Sequence, residues 1–324
     1  MLKRHWPDSE IHWWIDSHLA PLLAGDPDLA GLIFFERRRW SSPRYWPEVL
    51  QSVGRTRAQA FDCVIDLQGL ARSAIFAWLA NAQLTIGLES TREGARGFYD
   101  LVVPRPSYET HAVDWYLRVL PKLGVPLSWN FSWLPDRPDV TAELKRKWPL
   151  DGARWVVLQP GARWQNKRWP VEHFSELTRH LAATHPELKF AILGSADDHP
   201  LGGAISQAAA GRCLDLTGKL ALPEMVAMIR CCDVMVTNDT GPMHVAAGLG
   251  KPVTALFGPT DPRRTGPYGQ LDNVLKHSLE CAPCMKSSCA YVKPLECLRA
   301  LTPDTVFAAV QKHLRSSASP AASI

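Results

Sequence analysis

Apolar and polar positions along this chain follow two periods. The runs IHWWID (11–16), GLIFF (31–35) and FDCVIDL (61–67) are short and rich in β-branched and aromatic residues, and they read as strands. LARSAIFAWLA (70–80) follows the third run directly and spreads apolar residues around most of a helix, so the two form a βα unit. The second half repeats the alternation more regularly. WVVLQP (155–160) precedes a helix from Pro170, KFAILG (189–194) a helix from about Gly202, and DVMVTN (233–238) a helix from Pro242, with PVTALFG (252–258) after it. These runs are apolar almost throughout, as expected of parallel strands buried on both faces. The pattern predicts an α/β protein, doubly wound in its second half.

A chain of 324 residues exceeds what one core usually serves, so two domains are expected. Pro135, Pro138 and Pro149 interrupt regular structure, which puts the boundary near them: residues 1–148, then 149–315, with 316–324 a polar, disordered tail. No apolar run is long enough to span a bilayer and the start lacks a signal-peptide core, so a cytoplasmic protein is expected. Eight cysteines in so large a chain then read as reduced thiols. The net charge of +4 is not concentrated, with 18 Lys and Arg against 17 Asp and Glu in residues 1–150 and 18 against 15 after them. Nucleic acid is therefore not an expected partner. Only Arg37, Arg38 and Arg39 form a basic run, which is read as a solvated turn, with a small patch facing an anionic membrane surface as the alternative.

In doubly wound sheets ligands sit beyond the carboxyl ends of the strands, and chemistry is sought there. VMVTNDTGPMHVAAGLG (234–250) is a buried strand, a sharp turn and a helix opened by Pro242. Asp239 and Thr240 fall where caps fall and His244 within the first turn. These are either ordinary caps with an incidental histidine or the rim of an anion site at the helix N-terminus. LQPGARWQNKRWP (158–170) brings Arg163, Lys167 and Arg168 to a second strand end, either as a solvated loop or as charge for a diphosphate. Asp197 and Asp198 follow a third strand, where acids often bond ribose hydroxyls. No G-x-G-x-x-G occurs in this half, which argues against a dinucleotide, and no cofactor is expected. Cys281, Cys284, Cys289 and Cys297 carry a C-x-x-C pair followed by two more cysteines, suited to zinc or an iron–sulfur cluster, but with a spacing unlike a standard ribbon. A reduced structural loop is the adopted reading, with no metal.

Together GARWQNKRWP, NDTGPMHVAAGLGKPVTALFG and PTDPRRTGPYG resemble the donor domain of glycosyltransferase family 9, the bacterial heptosyltransferases. VIDLQGLARSA and IGLESTREGARGFYD resemble the acceptor domain of its type I members. The resemblance implies two Rossmann-like domains facing a cleft, the GT-B architecture. It also implies inverting transfer from ADP-L-glycero-D-manno-heptose to Kdo-lipid A, at the inner membrane surface. By the same resemblance Lys167 clamps the donor diphosphate, Asp239, Thr240, Gly241 and His244 line the phosphate and heptose site, and Asp197 is the ribose candidate. Asp66, Gln68 and Arg92 match positions near the acceptor, though Gln68 and Arg92 read equally well as a buried polar contact and a surface charge. MLKRHWPDSEIHWWID resembles the end of the family's first helix and its second strand. The first strand and the S-L-G-D-like loop with the general base are accordingly expected upstream of Met1. The catalytic residue is left unassigned, and a non-catalytic donor-binding homologue is the alternative.

Overall fold

The structure is a computed structural model that describes residues 1–37, 39–89, 93–128 and 134–316. Arg38, Arg92 and the tail 317–324 lie outside the described residues. The chain forms two compact units, Met1–Phe131 and Ser132–Ile324. The helix Pro138–Lys147, which the proline pattern assigns to the first domain, falls in the second unit. Its Leu144 is fully buried against Leu150, Trp155 and Met228, and that contact draws the whole helix there.

Among the described residues the first unit holds two parallel sheets. In one, β1 (His12–Asp16) pairs with β2 (Gly31–Phe35). In the other, β3 (Cys63–Asp66), β4 (Leu84–Leu88) and β5 (Leu101–Val103) lie in chain order. Trp14 of β1 packs on Phe35 and on Phe76 of the helix Ala71–Leu79, and Trp40 stacks on Phe76, so aromatic contacts tie β1 and β2 to the helix that follows β3. The core of the unit is Ile86, Leu88, Val103 and Val119. Gly87 of β4 lies directly against the Tyr99 ring, and a Cβ there would overlap the ring carbons.

The second unit is built on six strands: β6 (Arg154–Gln159), β7 (Leu188–Ile192), β8 (Cys213–Asp215), β9 (Val234–Asn238), β10 (Val253–Phe257) and β11 (Val274–Lys276). All neighbours are parallel, in the order β8-β7-β6-β9-β10-β11. Side chains alternate across this sheet as the strand period requires. Val156 and Leu158 join Phe190, Val234 and Val236 on one face, under the helices Val171–Thr184 and Pro303–Ser316. Trp155 and Val157 join Ala191, Met235 and Val253 on the other, under Pro138–Lys147 and Leu222–Cys231. The winding direction reverses between β6 and β9, so the carboxyl ends of these two strands border the crevice where such sheets take ligands. No helix among the described residues is long and apolar enough to cross a membrane.

Replacing Gly87 by Ala would force the Tyr99 ring aside. The expected cost is about 1–3 kcal/mol, read from urea unfolding, and the double change Gly87→Ala with Tyr99→Ala should cost less than the two single changes added together.

Candidate functional site at the sheet reversal

The residues that close β6 and β9 are bonded to each other. Asn238, fully buried at the end of β9, accepts a hydrogen bond from the Trp169 backbone N–H (3.0 Å), and its Nδ2 donates to the Pro160 carbonyl (2.8 Å). The two strand-end loops are thereby held side by side, and Lys167 on one reaches Asp239 on the other with Nζ 2.6 Å from Oδ2. Both side chains are largely shielded from solvent. Thr260, just beyond β10, donates its hydroxyl to the same Asp239 oxygen at 2.6 Å. Lys167 Nζ also lies 4.7 Å from the Trp164 ring centroid, a cation–π contact that fixes the ammonium from a second side.

Asp239 is therefore not a helix cap. Thr240 occupies the N-cap position of the helix Gly241–Gly248 in extended conformation, and no side-chain bond caps that end. A side-chain-uncapped N-terminus with its partial positive charge, next to an anchored ammonium, suits a phosphate or diphosphate. Gly241 and His244 are exposed on this first turn.

Arg163 is exposed. Arg168 is structural: its Nε donates to the Ala162 carbonyl (2.9 Å) and its guanidinium pairs with Asp198 at 3.3 Å. Asp198 also accepts from the Ser195 N–H (2.9 Å) and hydroxyl (2.8 Å) and is buried. Gly161 makes room for that carboxylate, since a Cβ there would collide with it. Of the two acids after β7, Asp197 is the exposed one.

In the first unit, Asp66 is buried at the end of β3 with three internal hydrogen bonds. Its Oδ1 accepts from the backbone N–H of Gln68 (2.8 Å) and Gly69 (3.3 Å), and its Oδ2 from the Tyr99 hydroxyl (2.7 Å). Burial and the bond to Asp66 hold the Tyr99 phenol well above its ordinary pKa. Gln68 is exposed beside this cluster, and the Arg92 expectation lies outside the described residues.

All eight cysteines are free thiols. Cys281, Cys284, Cys289 and Cys297 line one cavity of about 190 Å³ together with Asn166 and Tyr291. Among the described residues no group of three His, Cys, Asp or Glu is placed to hold a metal ion. Backbone N–H groups of Leu295 and Tyr291 lower the pKa of Cys289, whereas burial, and then the three neighbouring thiols, push Cys297 up to about 11. The loop is fastened at two points to the turns that carry Lys167 and Thr260. Asn166 Nδ2 donates to the Lys286 carbonyl (2.9 Å), and the Met285 N–H donates to the Pro259 carbonyl (2.7 Å), one residue from Thr260.

Sequence pattern does not single out Thr260 or Tyr99, and it offers Asp198 only as a ribose-bonding acid beside Asp197, not as the buried partner of Arg168 and Ser195. Thr260 and Tyr99 do lie within the motifs PTDPRRTGPYG and IGLESTREGARGFYD, and Asp198 directly follows Asp197.

Fold and site together define a doubly wound α/β protein with a lysine–carboxylate pair beside a helix N-terminus at its sheet reversal. The sequence model of glycosyltransferase family 9 (heptosyltransferase) matches residues 50–294, and the chain belongs to that family. It is a glycosyltransferase. It is similar to lipopolysaccharide heptosyltransferase 1 of Pseudomonas aeruginosa, with 29% identity over 301 residues, 88% of this chain and 80% of that protein. Its fold is that of a family 9 glycosyl transferase from Veillonella parvula, at TM-score 0.81 and 24% identity, covering 97% of this chain and 91% of that one. An Escherichia coli heptosyltransferase solved with ADP-2-deoxy-2-fluoro heptose superposes at TM-score 0.69 and 22% identity, covering 98% and 92%.

Two outcomes test the local chemistry. Thr260→Val removes the hydroxyl donated to Asp239 while keeping the shape, and should cost about 1.5–3 kcal/mol in urea unfolding. In alkylation at neutral pH followed by mass spectrometry, Cys289 should be modified early. Cys297 and Cys232, the latter pushed to about 12 by burial, should be modified last, because the thiolate is the reactive form.

Proposed function

We propose that this chain transfers heptose from ADP-L-glycero-D-manno-heptose to the Kdo-lipid A inner core of lipopolysaccharide, with inversion, at the cytoplasmic surface of the inner membrane. The observation that carries the reading is the anchored Lys167–Asp239 pair beside the helix end at Thr240. The nucleotide-sugar analogue in the E. coli relative supports the choice of donor, and the likeness to a lipopolysaccharide heptosyltransferase supports the choice of acceptor class.

In this scheme the acceptor hydroxyl oxygen attacks the anomeric carbon from the side opposite the diphosphate. The new carbon–oxygen bond forms as the bond to the β-phosphate oxygen breaks. The hydroxyl proton passes to a base, and ADP departs with the electron pair. Negative charge grows on the diphosphate through this step, and groups already aimed at it lower the barrier without reorganising. Lys167 meets it as a point charge. Asp239, itself held by Thr260, keeps the ammonium from following the leaving group into solvent, and the N-terminus of Gly241–Gly248 adds its dipole. By the family resemblance Asp197 and His244 serve the ribose and heptose of the donor, and Asp66 and Gln68 the acceptor.

Lys167→Ala and Asp239→Ala should each weaken ADP binding about 10–100-fold, the value of one or two charge-assisted hydrogen bonds, while leaving the circular dichroism spectrum unchanged. Calorimetric titration with ADP and mass-spectrometric detection of heptosylated Kdo-lipid A are the measurements. Unchanged affinity and turnover in both variants would remove the donor-site assignment. Tight ADP binding without transfer would favour a donor-binding homologue.

A further inference from the structure

The helix Trp46–Ala58 carries an exposed face that the anion site does not use. Val49, Ser52, Val53 and Thr56 form its half-buried side, whereas Trp46 is 60% and Leu50 71% exposed. At 3.6 residues per turn these two side chains lie about 40° apart around the helix, with Arg57 between them in projection. Large apolar groups on the outward stripe of a helix whose other side already faces protein reverse the usual surface pattern. The charge along this segment is mostly positive. Glu48 is the only carboxylate between residues 37 and 58, and it is paired with Arg39, which also lies over the Tyr45 ring at 4.4 Å. Arg44, Arg55 and Arg57 stand exposed on the same segment.

We propose that this face docks on an anionic lipid bilayer, with Trp46 and Leu50 entering the boundary between headgroups and acyl chains and Arg44 and Arg57 meeting lipid phosphates. Tryptophan is favoured at that depth, because its ring is apolar and its N–H can stay hydrated. Arginine keeps its charge at the headgroups while its stem lies along apolar surface. Two apolar side chains are far less than the roughly 800 Å² per partner that a stable protein interface buries. A bilayer, in contrast, adds the small contributions of each apolar group and each cation. The inference deepens the membrane contact in the proposed function and rests on that reading only for location.

Vesicles without any sugar acceptor separate the two ideas, since they test the face, while the transfer assay tests the chemistry. The full chain is floated with vesicles of phosphatidylcholine alone and of phosphatidylcholine with phosphatidylglycerol, at low and high salt. The wild-type protein should favour the anionic vesicles about tenfold or more at low salt and lose that preference at high salt. Trp46→Ser with Leu50→Ser should lower binding about tenfold. Arg44→Ser with Arg57→Ser should abolish the anionic preference, and both variants should keep the wild-type melting temperature. Equal wild-type binding to both vesicles, or variants that float like wild type, would overturn the proposal. A dimer in sedimentation that the Trp46/Leu50 variant alone dissolves would assign the face to a second copy and overturn it as well.

Discussion

The buried amide of Asn238 is the constraint on which the site depends. Parallel strands deliver their carboxyl ends to one edge of a sheet, but the loops beyond them are free to diverge. Asn238 removes that freedom by bonding Trp169 with one amide atom and Pro160 with the other. In a fully buried position each lost bond would strand a polar group, so the arrangement is enforced by the cost of every alternative. Only with the two loops fixed can a lysine on one and a carboxylate on the other meet at 2.6 Å.

Neighbouring residues of the same charge have been given different work by this geometry. Lys167 and Arg168 are adjacent, yet the arginine faces inward to Ala162 and Asp198 while the lysine stands at the strand ends. Arginine suits the first task because its planar fork can bond a carbonyl and a carboxylate together, and lysine suits the second as a compact charge on a flexible stem. Asp197 and Asp198 divide in the same manner, the second spending its carboxylate on Ser195 and Arg168. Asp66 is satisfied within its own unit, which makes it a rigid support for the exposed Gln68.

Much of this was legible in the sequence because parallel strands buried on both faces leave a strong local signal. The runs that became β6, β7, β9 and β10 were readable, as were the helix after β9 and the importance of the loops following β6 and β9. The strands β4, β5, β8 and β11 were not singled out. Three of them span only three residues, and their strand character comes from pairing with a neighbour. Lys167 and Asp239 could each be placed by motif, but their direct pairing and its third member, Thr260, could not, because nothing local says that a lysine after β6 and a hydroxyl after β10 will both turn toward a carboxylate after β9. The resemblance names Asp197, but that Asp198 is the acid turned inward was closed to sequence pattern, since it depends on which side chain finds the space left by Gly161.

The cysteine loop acquires a mechanical meaning from its two fastenings. Asn166 ties it to the turn that carries Lys167, and Met285 ties it to Pro259, next to the hydroxyl that holds Asp239. It is thus a strut spanning both arms of the Lys167–Asp239–Thr260 cluster, anchored after β10 on one side and after β6 on the other. The geometry of the charged pair is consequently set in part by a segment that touches neither charge, and that segment presents two exposed thiols, Cys281 and Cys289, to the solvent.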